Sequence, residues 1–491
     1  MVLALWLTRF GVSIRIIDKL ASSGTTSRAL AVQGRTLEFY QQFGLAQAVL
    51  DRGHKVAAVN LWVKTKPAAR IPLENLGQGL TPFPCPVIFP QDEHEALLIK
   101  RLSALGIEIE RQTELADFED RGGDIRVTLR KAGTEETGCY AYLAGCDGAR
   151  SRVREVLGAG FPGGTYEHLF YVADVEAAGS PMNGELHVDL DDADFLAVFP
   201  LQQTGRARLI GTVRDDAAKD HEHLKFEDVQ GRAIRNFRIE VKKVNWFSTY
   251  RVHHRVAQQF RKGRAFLLGD AAHIHSPVGG QGMNTGIGDA VNLAWKLAAS
   301  LKDPRRAPLL DSYEPERIAF ARRLVATTDR AFTAVTSGTV FARFVRTKAI
   351  PALAPGLVRV PAIRRFAFRT VSQIGVNYRD SPLSRGEAGK LHGGDRLPWV
   401  KVGRGEQDNF AALASMDWQL HVYGDPAPGL QALAVGRKIP LQIFPWDTGM
   451  VQTGLKRDAA YLIRPDGYIG LADSGGSAAA IDAYLSEKNL L

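Results

Sequence analysis

The first segments of the chain change from a helical to an extended apolar pattern. Residues 1–9 (MVLALWLTR) read as an apolar helix that Gly11 ends. Residues 12–18 (VSIRIID) are β-branched and apolar and end in Asp18, which predicts a buried parallel strand. A helix, a glycine, a strand and an acid in this order form the second half of a βαβ unit. We therefore predict an α/β fold with a parallel sheet at the start of the chain.

The apolar pattern becomes shorter and alternating between residues 165 and 215. The runs HLFYVADVEA, GELHVDL, FLAVFPL and ARLIGTV predict an antiparallel sheet with one covered face. Phe195, Ala197 and Phe199 would share one face of this sheet, because side chains alternate along a strand. Residues 263–300 then return to a strand, a turn and a helix.

The last third of the chain contains two further patterns. Residues 309–330 predict a charged amphipathic helix. Residues 331–380 are basic with scattered apolar residues, and we expect helices that pack on the first domain. Three prolines in this stretch argue against a continuous membrane-binding helix. From residue 390, WQLHVYG and IPLQIFPW predict strands, AYLIRPDGYIGLAD predicts a hairpin that turns at PDG, and SAAAIDAYLSEKNL predicts a closing helix.

Composition narrows the classes of function. The chain has 491 residues, too many for one core, and a net charge of +9 with no long basic run. We expect no nucleic-acid partner and a basic surface that gathers anionic cofactors. Cys85, Cys139 and Cys146 form neither a CxxC pair nor a zinc spacing, which predicts no metal site and suits a reducing cytoplasm. No apolar run is long enough for stable membrane insertion.

The segment GRAFLLGDAAHIHSPVGGQGMNTG, which begins at Gly263, gives the strongest chemical signal. Gly269 allows a sharp turn at the end of the strand AFLL, and Asp270 then lies where open α/β sheets bind ligands. A carboxylate at this place can accept hydrogen bonds from the hydroxyl groups of a ribityl chain. We expect His273 and His275 to position the loop by hydrogen bonds, since no further metal ligand accompanies them.

The loop Pro277–Gly282 leads into a helix that begins near Met283. Gly280 and Gly282 carry no side chain, so a flat ring can approach the backbone there. The first N–H groups of a helix have no acceptor within it and carry partial positive charge. They would stabilise negative charge on the edge of a flat ring held there.

This segment closely resembles the third fingerprint of the group A flavoprotein monooxygenases, the aromatic-ring hydroxylases related to p-hydroxybenzoate hydroxylase. The resemblance implies that FAD is the cofactor. It implies that Asp270 of the Gly269-Asp270 pair binds the ribityl chain of FAD. It also implies that the backbone at Met283 and Asn284 contacts the pyrimidine edge of the flavin.

Four other segments resemble parts of the same family. Asp147 lies in GCDGARSRVRE, similar to the family's DG motif for FAD and NAD(P)H, although a surface turn followed by a basic helix would also explain this segment. Arg28 lies in SRALAVQGRTLE, similar to the segment beside the FAD. Gln91 occupies the position of a glutamine near the flavin. Asp18 matches the acid that holds the adenosine ribose, although an ordinary acid at a strand end reads the same way.

The resemblance predicts a domain organisation. A Rossmann-like FAD-binding domain would comprise residues 1–160 and 255–330, and an antiparallel-sheet substrate domain would comprise residues 161–254. A helical connection over 331–385 would lead to a C-terminal domain at 386–491. RPDGYIG makes that domain similar to the thioredoxin-like domain of phenol hydroxylases and aromatic polyketide hydroxylases. Without CxxC it cannot exchange disulfides, so we assign it to packing or assembly, compatible with a homodimer.

The resemblance also implies a reaction. NADPH or NADH would reduce FAD, dioxygen would form a C4a-hydroperoxyflavin, and a phenolic or polycyclic aromatic substrate would be hydroxylated. We expect the substrate pocket between the flavin ring and the antiparallel sheet, with Phe195 and Phe199 or their neighbours lining it. No catalytic base can be named from the sequence. The alternatives are a flavin epoxidase or Baeyer–Villiger-type oxygenase on the same fold, or a non-catalytic paralogue.

The sequence departs from the family at its beginning. The glycine-rich turn GxGxxG, which holds the FAD pyrophosphate, should lie about 20 residues before Asp18 and therefore before Met1. Two explanations stand: the start of the protein lies upstream, or this is a shortened protein that binds FAD weakly. The loss of the first strand should leave a gap in the parallel sheet, and we expect the purified chain to be poorly flavinated.

Overall fold

The apolar residues at the start of the chain form the helix Val2–Arg9, whose residues 2–7 are buried. In this computed structural model, residues 1–490 are described except 25–28, 65, 191–194, 203–204, 214–223, 230–233, 235–236, 277–278, 337–338 and 404–406. Gly11 has a φ of 75°, a left-handed conformation that favours glycine and lets the chain leave the helix. The strand Ile16–Asp18 follows, so the predicted order of helix, glycine, strand and acid is confirmed. The strand is shorter than the predicted residues 12–18, and it is half-buried where a buried strand was predicted.

The parallel strands of the first part of the chain form two separate sheets. Ile16–Asp18 pairs in parallel with Ile109–Arg111, and Leu143–Gly145 pairs in parallel with Ala265–Leu267, which also pairs with Arg261–Lys262. A gap in the parallel sheet is what the sequence predicted. A three-stranded antiparallel sheet and a three-stranded set of short strands complete this part; their strands are Thr113–Asp120, Ile125–Lys131, Thr134–Tyr140, Ala31–Val32, Val87–Ile88 and His54–Lys55. The helices of this part are Gly34–Gln42, Ala46–Arg52, Gln91–Ser103 and Arg152–Leu157.

The largest sheet has eight strands. In spatial order they are His273–Ile274, Glu240–Val256, Gly163–Ala178, Arg206–Thr212, Leu196–Pro200, Leu186–Asp189, Ala58–Val63 and Lys66–Pro72. Every pair is antiparallel except Leu186–Asp189 with Ala58–Val63. Residues 58–72 therefore extend the sheet that was predicted from residues 165–215. Their parallel pairing joins residues more than 120 positions apart, which no local pattern encodes.

The prediction of a single covered face is wrong, because both faces of this sheet pack against apolar clusters. Leu196 and Val198 belong to one cluster, which also contains Phe226 of the short helix Phe226–Val229. Phe195 and Phe199 pack on the other face, as predicted, against Phe170 and Ile210. The second face of the sheet thus turns towards the first part of the chain, since Leu30, Val56 and Ile88 belong to the same cluster.

The helix Gly282–Lys302, called the central helix below, is long and largely buried. It is followed by the 3-10 segment Pro304–Ser312 and the helix Tyr313–Thr336, where a helix over 309–330 was predicted. The connecting helices are Val340–Phe344, the π-helical turn Val345–Ala349, Ile350–Leu357 and Pro361–Val371. Pro361 begins its helix, where a proline costs no hydrogen bond. Pro351 and Pro355 lie within Ile350–Leu357, which continues the π-helical turn without a break, so these two prolines do not end the helical structure.

The C-terminal unit contains a four-stranded sheet in the order Leu441–Phe444, Gln419–Tyr423, Ala460–Ile463 and Ile469–Asp473. The first pair is parallel and the other two are antiparallel, which is the strand arrangement of the thioredoxin fold. Its helices are Leu430–Arg437 and Ala478–Glu487, with short elements at Glu387–Ala388, Leu391–His392, Ala411–Ser415 and Thr448–Thr453. The hairpin turns at Gly467, whose φ is 75°, as predicted from RPDG. In the described part of the chain, no helix is both long and apolar enough to cross a membrane.

Candidate functional site

The turn after the strand Ala265–Leu267 packs directly on the central helix. Gly269 has a φ of 57°, so a side chain here would be strained. A Cβ at Gly286, in the first turns of the central helix, would lie only 3.1 Å from the Cα of Gly269. The two glycines therefore allow the turn and the helix to touch through their backbones. Asp270 follows at the carboxyl end of the strand and is exposed.

Asp289 holds this turn from inside the protein. Its carboxylate accepts hydrogen bonds from the Gly269 amide at 2.9 Å, from His273 Nε2 at 2.7 Å and from Arg317 Nε at 2.6 Å. Burial alone would raise the pKa of Asp289, but Arg317 and His273 outweigh it and hold the pKa below its usual range. His273 thus positions the loop as predicted. Sequence reasoning missed Asp289, although a lone acid within the apolar run GIGDAVNLA was a signal for it.

The start of the central helix lies against the segment 31–36. Gly280 has a φ of 60°, and a Cβ at this position would lie 2.9 Å from the Cβ of Ala31. Gly282 begins the helix, and a Cβ there would meet only ordinary contacts with His275 at 3.7 Å or more. The amide groups of Gly282, Met283 and Asn284 form the first helical turn, whose N–H groups have no acceptor within the helix.

Asn284 joins this helix start to the segment 31–36 with all four of its hydrogen-bonding positions. Its Oδ1 accepts from the Gln33 amide at 2.9 Å and from Thr36 Oγ1 at 2.7 Å. Its Nδ2 donates to the carbonyl groups of Ala31 and Gly280, both at 2.8 Å. The side chain of Asn284 is therefore committed within the protein, and only its backbone amide is left for a cofactor.

A buried histidine, His94, contacts the side chain of Met283. His94 Nδ1 lies 3.3 Å from Met283 Sδ, and His94 Nε2 lies 2.6 Å from the hydroxyl of Tyr40. Burial lowers the pKa of His94 to about 4, so the ring is neutral near pH 7. The side chain of Met283 is thus in contact with an uncharged residue of the core.

His275 has an unpartnered acceptor at the same helix start. Its Nδ1 carries a proton, because it donates to the Ser276 carbonyl at 2.8 Å, and this leaves Nε2 as an acceptor. Nε2 is buried and meets no donor among the residues that the structure describes. Burial lowers the pKa of His275 to about 4, so the neutral ring persists. An orphaned acceptor beside an unpaired helix start fits a ligand with a hydrogen-bond donor.

The other predicted site residues differ in how they are placed. Gln91 Oε1 accepts from the Ala29 amide at 3.3 Å, which puts it beside the segment 31–36. Asp147 Oδ2 accepts from the Val153 amide at 3.0 Å, and the neighbouring Arg154 donates to the Ala271 carbonyl at 2.9 Å, so the DG segment lies beside the Gly269 turn.

Asp18 stands apart from this group. It pairs with Arg111 at 2.7 Å on the other parallel sheet. Arg28 and Pro277, the remaining two predicted site residues, lie outside the described residues.

An aromatic face of the large sheet reaches the glycine loop. Phe195, Phe199, Trp246 and Tyr250 are half-buried on this face, and Ala31 packs against the same cluster. Ala31 is also the residue that Gly280 and Asn284 contact. A ring held at the helix start would therefore lie close to a wall of aromatic side chains.

Buried charges connect the central helix to the C-terminal unit. Glu316 pairs with Lys296 of the central helix at 2.8 Å and with Arg464 of the hairpin at 2.7 Å. Arg464 also pairs with Asp466 at 2.7 Å, and Asp466 accepts from Trp295 Nε1 at 3.1 Å. Burial lowers the pKa of Lys296 to about 8, while Arg464 and Lys296 overcome the burial of Glu316 and hold its pKa far below its usual range. Sequence analysis did not find this network.

The strand, turn and helix around Gly269 and Gly282, together with the α/β fold, define a flavoprotein oxidoreductase. Comparison with known proteins agrees: residues 1–328 match the family described as "FAD binding domain". The chain therefore belongs to this family. The residues present fit FAD at the ring side, where the glycines leave room and His275 Nε2 has no partner among the described residues.

Named relatives specify the branch of the family. The 6-methylpretetramide 4-monooxygenase of Streptomyces rimosus is 33% identical and covers 99% of this chain and 91% of its own length. A flavin-dependent monooxygenase of Mycobacteroides abscessus is 31% identical over 96% of this chain and 95% of its own. The structure of the anhydrotetracycline hydroxylase OxyS from Streptomyces rimosus has a TM-score of 0.78 and 28% identity, covering 99% of this chain and 96% of that one. The chain is thus an FAD-dependent aromatic monooxygenase, and the resemblance to the group A hydroxylases is confirmed.

Proposed function

We propose that this protein hydroxylates a phenolic, polycyclic aromatic compound with dioxygen, using FAD and either NADPH or NADH. The observation that carries the proposal is the meeting of the glycine loop and the aromatic face of the sheet at Ala31. Two relatives are named for oxygenation of polycyclic compounds, 6-methylpretetramide and anhydrotetracycline. Bound FAD, once reduced by the nicotinamide, supplies the activation of dioxygen and the transfer of one oxygen atom.

The residues of the chain have three tasks in this proposal. The amide groups of Gly282, Met283 and Asn284 stabilise negative charge on the ring edge, because they lie at the positive end of a 21-residue helix. Asp270 binds the ribityl chain from the end of the turn that Asp289 fixes. His275 Nε2 accepts a hydrogen bond from the bound ligand, since a buried acceptor without a partner is costly.

Further cofactor contacts fall on the outer parts of the site. We assign Gln91 to the side of the segment 31–36 and Asp147 to the side of the Gly269 turn, with Arg28 as a further cofactor contact. Asp18 holds the adenosine ribose in this assignment and must exchange its Arg111 partner or share it. Gly280 and Gly269 shape the backbone of the ring-side loop, and Pro277 is a further cofactor contact in this assignment. Phe195 and Phe199 contact the aromatic substrate, and the protein acts in the cytoplasm.

Rapid-mixing measurements of flavin reduction test the proposal. The full chain, loaded with FAD, is mixed without oxygen with NADH or NADPH, in the presence or absence of phenolic polycyclic compounds. We expect a matching compound to accelerate reduction and, after oxygen is admitted, to gain one oxygen atom as a ring hydroxyl. A lactone or epoxide as product would assign the alternative oxygenase chemistry. Absence of reduction with every compound would assign a non-catalytic role.

A further inference from the structure

The net charge of the protein comes entirely from one segment. The chain contains 62 Lys and Arg against 53 Asp and Glu. Residues 330–379 hold nine of these Lys and Arg and no Asp or Glu, so the rest of the chain is balanced at 53 of each sign. Basic residues occur along the whole chain, whereas acidic residues are absent from this segment. The local excess of positive charge coincides with the connecting helices.

The same segment contains most of the large apolar side chains that are exposed in the described part of the chain. Sixteen large hydrophobic residues are exposed in the part of the chain that the structure describes, and ten of them lie between Val340 and Val371. They include Phe341 at 77%, Phe344 at 59% and Phe366 at 73% exposure. Isolated exposed apolar residues are ordinary, but a concentration of this kind marks an interaction surface. We call residues 340–371 the basic apolar surface.

The inward face of these helices is packed, so the outward face is a surface in its own right. Phe368 is buried against Gly34 and Gly77, and Pro351 is also buried. Leu353 and Leu357, four positions apart, lie together on one outward side of their helix. Ile363 and Phe366 share an outward side three positions apart.

Three exposed cations of the surface have no acidic partner among the described residues. Lys348, Arg359 and Arg365 are exposed and form no ion pair with any described residue. A second copy of the chain is a poor occupant, because a two-fold interface would place this positive patch against itself. A bilayer that contains anionic lipids is complementary in both respects: its headgroups attract the cations and its interface accepts the aromatic side chains.

We propose that the basic apolar surface docks this protein on membranes that contain anionic phospholipids. The helices lie in the interfacial plane, with Phe341, Phe344 and Phe366 below the headgroups and Arg359 and Arg365 among the phosphates. The association is peripheral and reversible, because these helices are short. It is sensitive to salt, because much of the attraction is electrostatic and is screened by ions.

Sedimentation of the full chain with extruded vesicles tests this proposal. We expect binding to vesicles of equal parts phosphatidylglycerol and phosphatidylcholine, and roughly tenfold weaker binding to phosphatidylcholine alone. Raising the salt from about 0.1 M to about 0.5 M NaCl should reduce binding to the anionic vesicles roughly tenfold. The variants Phe341→Ser/Phe344→Ser and Arg359→Glu/Arg365→Glu should each reduce this binding by about tenfold or more.

Matched variants elsewhere on the surface separate docking from general effects. Val435 and Val451 of the C-terminal unit are 79% and 53% exposed, so Val435→Ser/Val451→Ser removes comparable apolar surface. Lys100→Glu/Arg101→Glu changes the charge by the same amount on the exposed side of another helix. Both controls should bind vesicles like the unmodified chain, and all variants should keep its melting temperature.

Three results would overturn the proposal. The first is equal binding to neutral and anionic vesicles, and the second is no binding to either. The third is a dimer in sedimentation velocity that the phenylalanine substitutions dissociate without any effect on vesicle binding; that outcome would assign the surface to a second copy of the chain.

Discussion

Asn284 shows how a single side chain fixes the geometry of the site. It is 2% exposed and joins four groups from two segments more than 240 residues apart. No other residue type of this size offers two acceptor positions and two donors at once. The helix start and the segment 31–36 therefore keep one relative position before any ligand arrives.

Replacement of Asn284 by alanine should destabilise the protein strongly. Asn284→Ala leaves buried donors at Gln33 and Thr36 and buried carbonyl groups without partners, so we expect a loss of about 3 kcal/mol in the free energy of unfolding. Urea denaturation followed by circular dichroism measures it. Gln47→Ala, which removes an amide from an exposed helix position, should cost less than about 0.5 kcal/mol. Equal losses in the free energy of unfolding for the two variants would contradict this role of Asn284.

His94 should make the protein sensitive to mild acid. Burial lowers its folded-state pKa to about 4, so below pH ~6.5 the unfolded chain takes up a proton that the folded chain refuses. Stability is therefore lost as the pH falls from about 6.5 to about 4, by up to about 3 kcal/mol for this residue. In His94→Gln, the plot of unfolding free energy against pH should be less steep in this window. An unchanged slope would mean that His94 titrates normally.

At the scale of elements, the central helix depends on glycines that have different reasons to be there. Gly280 has a left-handed backbone and no room for a methyl group, whereas Gly282 has space within the protein for one. The sequence PVGGQG alone does not distinguish Gly280 from Gly282. The structure separates a glycine whose backbone and neighbours exclude a methyl group from one that has space for it.

These two glycines should respond differently to the same substitution. Gly280→Ala should cost about 1–3 kcal/mol of stability through backbone strain and the contact with Ala31, and should weaken FAD binding as well. Gly282→Ala should leave the melting temperature unchanged but reduce FAD affinity about tenfold or more, because its methyl group points to the ring side. Fluorescence titration with FAD and thermal melts measure both quantities. Unchanged affinity in Gly282→Ala would remove this residue from the cofactor site.

The sequence predicted those parts of the fold and site whose interacting residues lie close together along the chain. The strand, turn and helix around Gly269 and the hairpin at Gly467 were predicted, because their determinants lie within a few neighbouring residues. The parallel pairing of residues 58–63 with 186–189 was missed, since pairing across a long loop leaves no local periodicity. Asp289 was missed for a related reason: its role is defined by Arg317 and His273, which only the fold brings together.

At the scale of the whole molecule, the C-terminal hairpin packs in the buried interior beside the central helix. Arg464 has no exposed surface and pairs with both Glu316 and Asp466, and a second link runs from Arg35 through Glu38 to Arg396. Charges buried this deeply are tolerated only when they are fully paired. The two parts are therefore joined by complementary charges as well as by the apolar cluster that contains Trp295 and Trp418.

Removal of Arg464 should weaken this union. Arg464→Ala leaves Glu316 and Asp466 buried with fewer cations, so we expect a loss of about 3–5 kcal/mol and separate unfolding transitions for the two parts in calorimetry. Arg457→Ala is the matched control, because Arg457 is 59% exposed and its ion pairs are 3.5 Å or longer. Its effect should stay below about 1 kcal/mol. A single transition at the original temperature in Arg464→Ala would show that the charges are dispensable.

The position of Arg464 and Asp466 beneath the central helix limits how this architecture can be rearranged. A hybrid that keeps residues 1–385 and takes its last hundred or so residues from another protein would have to bring an arginine and an aspartate to the same two positions. Otherwise Glu316 would lose its Arg464 partner, and Trp295 Nε1 would lose the Asp466 acceptor, inside a closed interior. The C-terminal unit is thus inherited together with the helix that it supports, and cannot be exchanged as a separate part.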